Sequence, residues 1–141
     1  MAVDIDIVYA GELHCHAVHR PSGAVVATDA PVDNHGKGAS FSPTDLVATA
    51  LGTCLGTIMA IAAERDRLDL AGMRIHVQKH MTTAGLRRIA RLETEITVPA
   101  AAAARLDAAG RRRLERAAEA CPVRQSLLEA IDVPVRFDWE G

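Results

Sequence analysis

Two cysteines stand in settings that support thiol chemistry. Cys54 lies in the most apolar stretch of the chain, LVATALGTCLGTIMAIAA from Leu46 to Ala63. Gly52 and Gly56 flank it at a GxxxG spacing, which lets another backbone approach that face closely. Cys121 immediately precedes Pro122, so it falls at the N-terminus of a short helix, with Arg124 one turn further on. Backbone N–H groups and the positive helix end favour a thiolate there. Each cysteine also has a bland reading: Cys54 as a small core residue, and Cys121 as the end of an apolar stripe with Leu114, Ala117 and Ala118. If the two helices pack together, the buried thiols would meet and form a redox couple.

Other reactive side chains are less well grouped. His14, Cys15, His16 and His19 invite a metal reading, but strand alternation puts His14 and His16 on one face and Cys15 and His19 on the other. No face collects three ligands, so exposed histidines on a surface strand are the expectation, not a metal centre. Arg20 sits beside the Pro21-Ser22-Gly23 turn, and His35 lies in the Gly-rich loop from Asp33 to Ser40. Either is a loop-borne site candidate or a solvated surface group. The Gly36-Lys37-Gly38 segment lacks the full phosphate-loop pattern.

The elements that must position these groups follow from periodicity. Ile5, Ile7 and Tyr9, then Leu13, Cys15 and Ala17, then Val25, Val26 and Thr28 read as three strands of an antiparallel meander. Ser42 as N-cap, Pro43 at the first helical position and Asp45 three residues after the cap start a central helix. It should run to about Arg67, roughly 24 residues or 36 Å, and be buried on most sides. Met73, Ile75 and Val77, and then Ile89 with Leu92, Thr94, Ile96 and Val98, give two more strands. Asp107 caps a second helix; Pro122 interrupts it, and a short helix then buries Leu127, Leu128 and Ile131. Val133, Val135 and Phe137 make a last strand. Segregated strand runs indicate an α+β fold with antiparallel sheets rather than a doubly wound nucleotide fold.

Composition narrows the function classes. The 141 residues are 49% hydrophobic and 24% charged, which suits one domain spanning residues 1–141 with its own core. A net charge of -2 and 3% aromatic residues argue against nucleic-acid binding. Met1 to Asp6 has no basic region followed by an apolar one, so the expectation is a cytoplasmic protein whose three cysteines rest reduced. Leu46 to Ala63 reaches the lower length limit of a membrane span, but Ala, Gly and Thr dilute it and Asp45 and Glu64 bracket it. A helix buried in a soluble protein is the expectation, with no membrane partner.

Ser42-Pro43-Thr44-Asp45-Leu46-Val47 leading into Leu51-Gly52-Thr53-Cys54, together with Ala120-Cys121-Pro122-Val123-Arg124-Gln125-Ser126-Leu127, resembles the OsmC/Ohr family (osmotically inducible protein C and organic hydroperoxide resistance protein). The resemblance implies an α+β OsmC-like fold, with antiparallel sheets packed on a long buried central helix. It implies an intertwined homodimer with its active sites at the subunit interface. It also implies a two-cysteine peroxidase without metal or organic cofactor, in which Cys54 is peroxidatic and Cys121 resolving. Organic hydroperoxides would be preferred to hydrogen peroxide, with a dithiol or lipoylated protein as reductant. The family's best-known peroxidases carry a Glu ten positions before the first cysteine, paired with an Arg. Here Thr44 holds that position, and Asp45 falls about 180° around the helix from Cys54, which suits a cap. Arg20 is the candidate for the thiolate-stabilising guanidinium. The chain therefore resembles the broader OsmC-like branch more than Ohr itself. The alternative function is a non-enzymatic OsmC-like protein that binds an apolar ligand or senses redox state.

Overall fold

The computed structural model describes residues 1–141, which divide into two compact units, Met1–Val47 and Ala48–Gly141. In the first, β1 (Ile5–Gly11), β2 (His14–His19) and β3 (Val25–Asp29) form an antiparallel sheet in sequence order, as the alternation predicts. The β1–β2 hairpin turns through Glu12 and Leu13, both at positive φ (53° and 63°), the geometry whose twist matches paired strands. Arg20 to Gly23 turns β2 into β3; Gly23, at φ 73°, donates its N–H to His19 O at 2.8 Å. The β1 side chains Ile5, Ile7, Val8 and Tyr9 are all exposed, as are Val25 and Val26 on β3. At the end of β3, the buried carboxylate of Asp29 accepts from Ala39 N at 2.9 Å and ties down the Gly-rich loop.

Helix α1 (Pro43–Glu64) begins as the sequence dictates. Ser42 Oγ accepts from Asp45 N at 3.1 Å, and Asp45 Oδ2 accepts from Ser42 N at 2.9 Å, a reciprocal capping box. Its end differs slightly from the expected Arg67. Arg67 adopts the left-handed conformation (φ 53°), Arg67 N donates to Glu64 O and Leu68 N to Ala63 O, closing a Schellman motif with Arg where glycine is usual.

In the second unit, Leu51, Leu55, Met59 and Ala63 recur every four residues and form one buried stripe on α1. They share the core with Leu92, Ile96 and Val98 of β5 and with Leu114 and Ala118 of α3. The expectation that α1 is buried on most sides needs correction: Thr49, Thr53, Thr57 and Ile61 form an exposed side. The helix is long and apolar enough to cross a membrane, and 39% of its most apolar window is buried. Gly52 and Gly56 do not admit another backbone. β4 side chains fill their surface instead: a Cβ at Gly52 would lie 3.0 Å from Val77 Cγ2, and one at Gly56 2.6 Å from Ile75 Cδ1.

Strands β4 (Arg74–Met81) and β5 (Ile89–Val98) pair antiparallel, with a bulge at His80/Met81. That bulge sits where the buried parity changes between Ile89 and Leu92. The chain then crosses through a single turn α2 (Ala100–Ala103), α3 (Ala108–Glu119) and α4 (Pro122–Ser126) before β6 (Val135–Trp139). β6 joins β5 in parallel, with Thr94 opposite Val135 and Val98 opposite Trp139, so this sheet is antiparallel only in its β4–β5 pair. Asp107 caps α3 as expected, accepting from Gly110 N at 2.7 Å. α4 ends at Ser126, earlier than its apolar followers suggest: Ile131 is buried, Leu127 is half-buried and Leu128 is exposed.

Candidate active site

Cys54 sits on the fourth turn of α1, at the border between the buried Leu51–Leu55 stripe and the exposed threonines, and is half-buried. The apolar stripe of α3, Leu114 to Ala118, leads into Cys121, which has no exposed surface. The structure places Cys121 close enough to Cys54 for that neighbour to raise the Cys121 pKa. No spacing in the sequence fixes that contact, because it needs α3 to be docked on α1.

Cys121 is also the N-cap of α4. Its Sγ accepts from Arg124 N at 3.5 Å. Pro122, at the first helical position, has no N–H to satisfy. The sequence reading weighed this helix end as thiolate-favouring, but the balance goes the other way. Burial raises the Cys121 pKa most, and the neighbouring Cys54 raises it further, whereas the Arg124 and Val123 N–H groups lower it. The arrangement is a proton-bearing thiol held against a second, more accessible one.

Arg20 lies in the first unit, where its Nε donates to Asp6 Oδ2 at 2.6 Å and its backbone N–H to Asp4 O; both paired side chains are well exposed. Thr44 Oγ1 lies 3.2 Å from Ser42 Oγ, and Asp45 is committed to the capping box. The rings of His14 and His16 meet edge-on at 4.8 Å, His19 Nδ1 lies 2.6 Å from Ser22 Oγ, and Cys15 is half-buried. No three His, Cys, Asp or Glu side chains converge anywhere to hold a metal ion. His35 is exposed and left-handed, closing the 3₁₀ turn at Val32–Asn34, while Lys37 pairs with Glu12 at 3.1 Å. Sequence reasoning missed Val123, whose contribution is only a backbone N–H; its sole signal was the position after Cys121-Pro122.

A model of the OsmC family, described as OsmC-like protein, matches residues 35–136. A crystal structure from Psychrobacter arcticus, provisionally described as an osmotic stress induced and detoxification response protein, is 37% identical. The match has a TM-score of 0.86 and covers 94% of this chain and 93% of that one. An organic hydroperoxide resistance protein OsmC from Legionella pneumophila aligns with a TM-score of 0.75 at 13% identity, over 98% of this chain and 97% of that one. The organic hydroperoxide resistance protein OhrB of Bacillus subtilis gives 0.67 at 16% identity, over 98% of each chain. Those last two likenesses are ones of fold. No curated protein matches the chain.

Proposed function

The chain belongs to the OsmC-like family, and on that premise we propose that it is a thiol-dependent peroxidase acting on organic hydroperoxides and, more weakly, on hydrogen peroxide. The observation that carries this reading is the buried Cys121 thiol lying close to the half-buried Cys54. Cys54, the more accessible of the two, is the peroxidatic residue. As a thiolate it attacks the distal peroxide oxygen, the O–O bond breaks, and the alkoxide leaves and takes up a proton to become the alcohol. Cys54 is then a sulfenic acid. The Cys121 sulfur attacks the Cys54 sulfur, hydroxide leaves with the thiol's proton as water, and a Cys54–Cys121 disulfide remains. A dithiol, free or on a lipoylated protein, restores both thiols and becomes a disulfide itself.

The same reading includes a homodimer with its active sites at the subunit interface and a cytoplasmic address. The exposed β1 side chains Ile5, Ile7, Val8 and Tyr9 favour an apolar partner surface. Arg20 is assigned to the Cys54 thiolate on family resemblance alone.

The test is to expose the reduced protein to limiting cumene hydroperoxide and, separately, to hydrogen peroxide, then follow both cysteines by intact-mass and peptide analysis. A rapid stoichiometric Cys54–Cys121 disulfide, faster with the organic peroxide, is expected. Two thiols left unchanged after long exposure would overturn the proposal and favour a ligand-binding protein.

A further inference from the structure

A cavity of about 390 Å³ opens between α3, α4 and β6, within the size range of small-molecule sites. Its apolar walls come from Leu55, Ala118, Val133, Val135 and Phe137. Neither cysteine lines it, although Leu55 adjoins Cys54 and Arg124 N donates to Cys121 Sγ, and its occupant bears on a question beyond the peroxidase reading.

Charged groups of opposite sign also line it. Glu119, from the last turn of α3, and Arg124, from α4, both line the cavity, yet neither side chain forms an ion pair or side-chain hydrogen bond. A third charged group, Glu115, is partly committed: its Oε1 accepts from Trp139 Nε1 at 3.0 Å, and Trp139 is in turn stacked on Phe137. A simple anion would suit Arg124 but meet two carboxylates. A simple cation would suit the carboxylates but meet the guanidinium. A molecule carrying both charges and an apolar side chain satisfies every wall.

The geometry points to a binding site for a small zwitterion with an apolar side chain, of which an apolar α-amino acid is the simplest example. Its carboxylate meets Arg124, its ammonium meets Glu119, and its side chain lies against Val133, Val135 and Phe137. Arg suits this role because its planar fork matches a carboxylate bidentately.

Trp139 is the chain's only tryptophan, and its partners Glu115 and Phe137 both line the cavity, so its fluorescence should report occupancy. The experiment titrates reduced full-length protein with L-leucine, following that fluorescence and, in parallel, calorimetric heat. Saturable binding is expected, and glycine, which lacks the apolar side chain, should bind at least about tenfold more weakly. Leucine methyl ester and N-acetyl-leucine, each missing one charge, should also lose about tenfold or more, as should the Arg124→Ala and Glu119→Ala variants. Thermal melts establish that each variant is folded. Silence in both readouts with L-leucine would overturn the inference. So would equal binding of leucine and its two blocked forms, or folded variants that bind leucine as tightly as the parent. None of these results depends on peroxide chemistry, so failure here leaves the proposed activity standing, and the reverse also holds.

Discussion

Replacing Cys121 separates its two roles, as the partner of Cys54 and as the cap of α4. Cys121→Ser keeps an acceptor at the cap, so Arg124 N still finds a partner. Cys121→Ala removes the acceptor and leaves that N–H unmatched. A lost N-cap is worth about 1 kcal/mol, and the sulfur removed from a fully buried position adds about 1 kcal/mol more for lost apolar burial. Cys121→Ala should therefore be destabilised by about 2 kcal/mol. Cys121→Ser should lie near 1 kcal/mol, because its buried hydroxyl retains partners. In a domain of this size, the 1 kcal/mol difference separates the two melting temperatures by about 4 °C. In catalysis the two variants should behave alike. Each should consume one equivalent of cumene hydroperoxide and then stop, with Cys54 held as a sulfenic acid that dimedone traps. Thermal melts and a peroxide-consumption assay measure the two roles independently. Sustained dithiol-driven turnover by Cys121→Ser at the parent rate would refute the resolving role. Equal melting temperatures for Ser and Ala would refute the capping argument.

Further consequences follow from the same structure. The Cys121 thiol titrates above its ordinary value of 9.0, so the folded state holds this proton more tightly than the unfolded one. Its stabilising contribution is complete below that value and is lost as pH rises through the folded-state pKa, so the parent should lose more stability than Cys121→Ser as pH is raised above 9.0, read by denaturant melts. Leu51→Ala empties a fully buried position beside Cys54 and should cost about 3 kcal/mol, measured as a lower urea midpoint at unchanged m-value. Asp107→Ala removes the acceptor of Gly110 N at the start of α3 and should lower stability by about 1 kcal/mol in the same melt. Asp6→Ala breaks an ion pair whose members are 62% and 59% exposed, and should shift stability by less than about 0.5 kcal/mol.

Local chemistry was legible in the sequence wherever neighbours in the chain determine the outcome. The Ser42–Asp45 capping box, the Asp107 cap, the Leu114–Cys121 stripe and the alternation of β5 all depend on short spacings. The left-handed residues Glu12, Leu13 and, just past α1, Arg67 are not themselves glycines that would announce that conformation. α2 had only an alanine run to mark it. The parallel docking of β6 and the exposure of Leu128 depend on how the α2–α4 crossover returns, which periodicity does not encode. The candidate site divides the same way. The chemistry of each cysteine was readable from its neighbours, but burial reversed the bias expected of the Cys121 helix end. Packing also turned the glycine face of α1 toward β4 side chains.

That glycine face ties the history of two distant stretches of the gene together. Ile75 and Val77 occupy the volume a side chain at Gly56 or Gly52 would need. Enlarging either glycine forces a neighbour to shift, while trimming Ile75 or Val77 alone opens a void. The viable evolutionary route is paired exchange, with gain of a methyl on the helix matched by loss of one on the strand. Among descendants of a common ancestor, positions 52 and 77, and 56 and 75, should therefore drift in concert, each pair inherited as a unit of constant volume rather than as two independent letters.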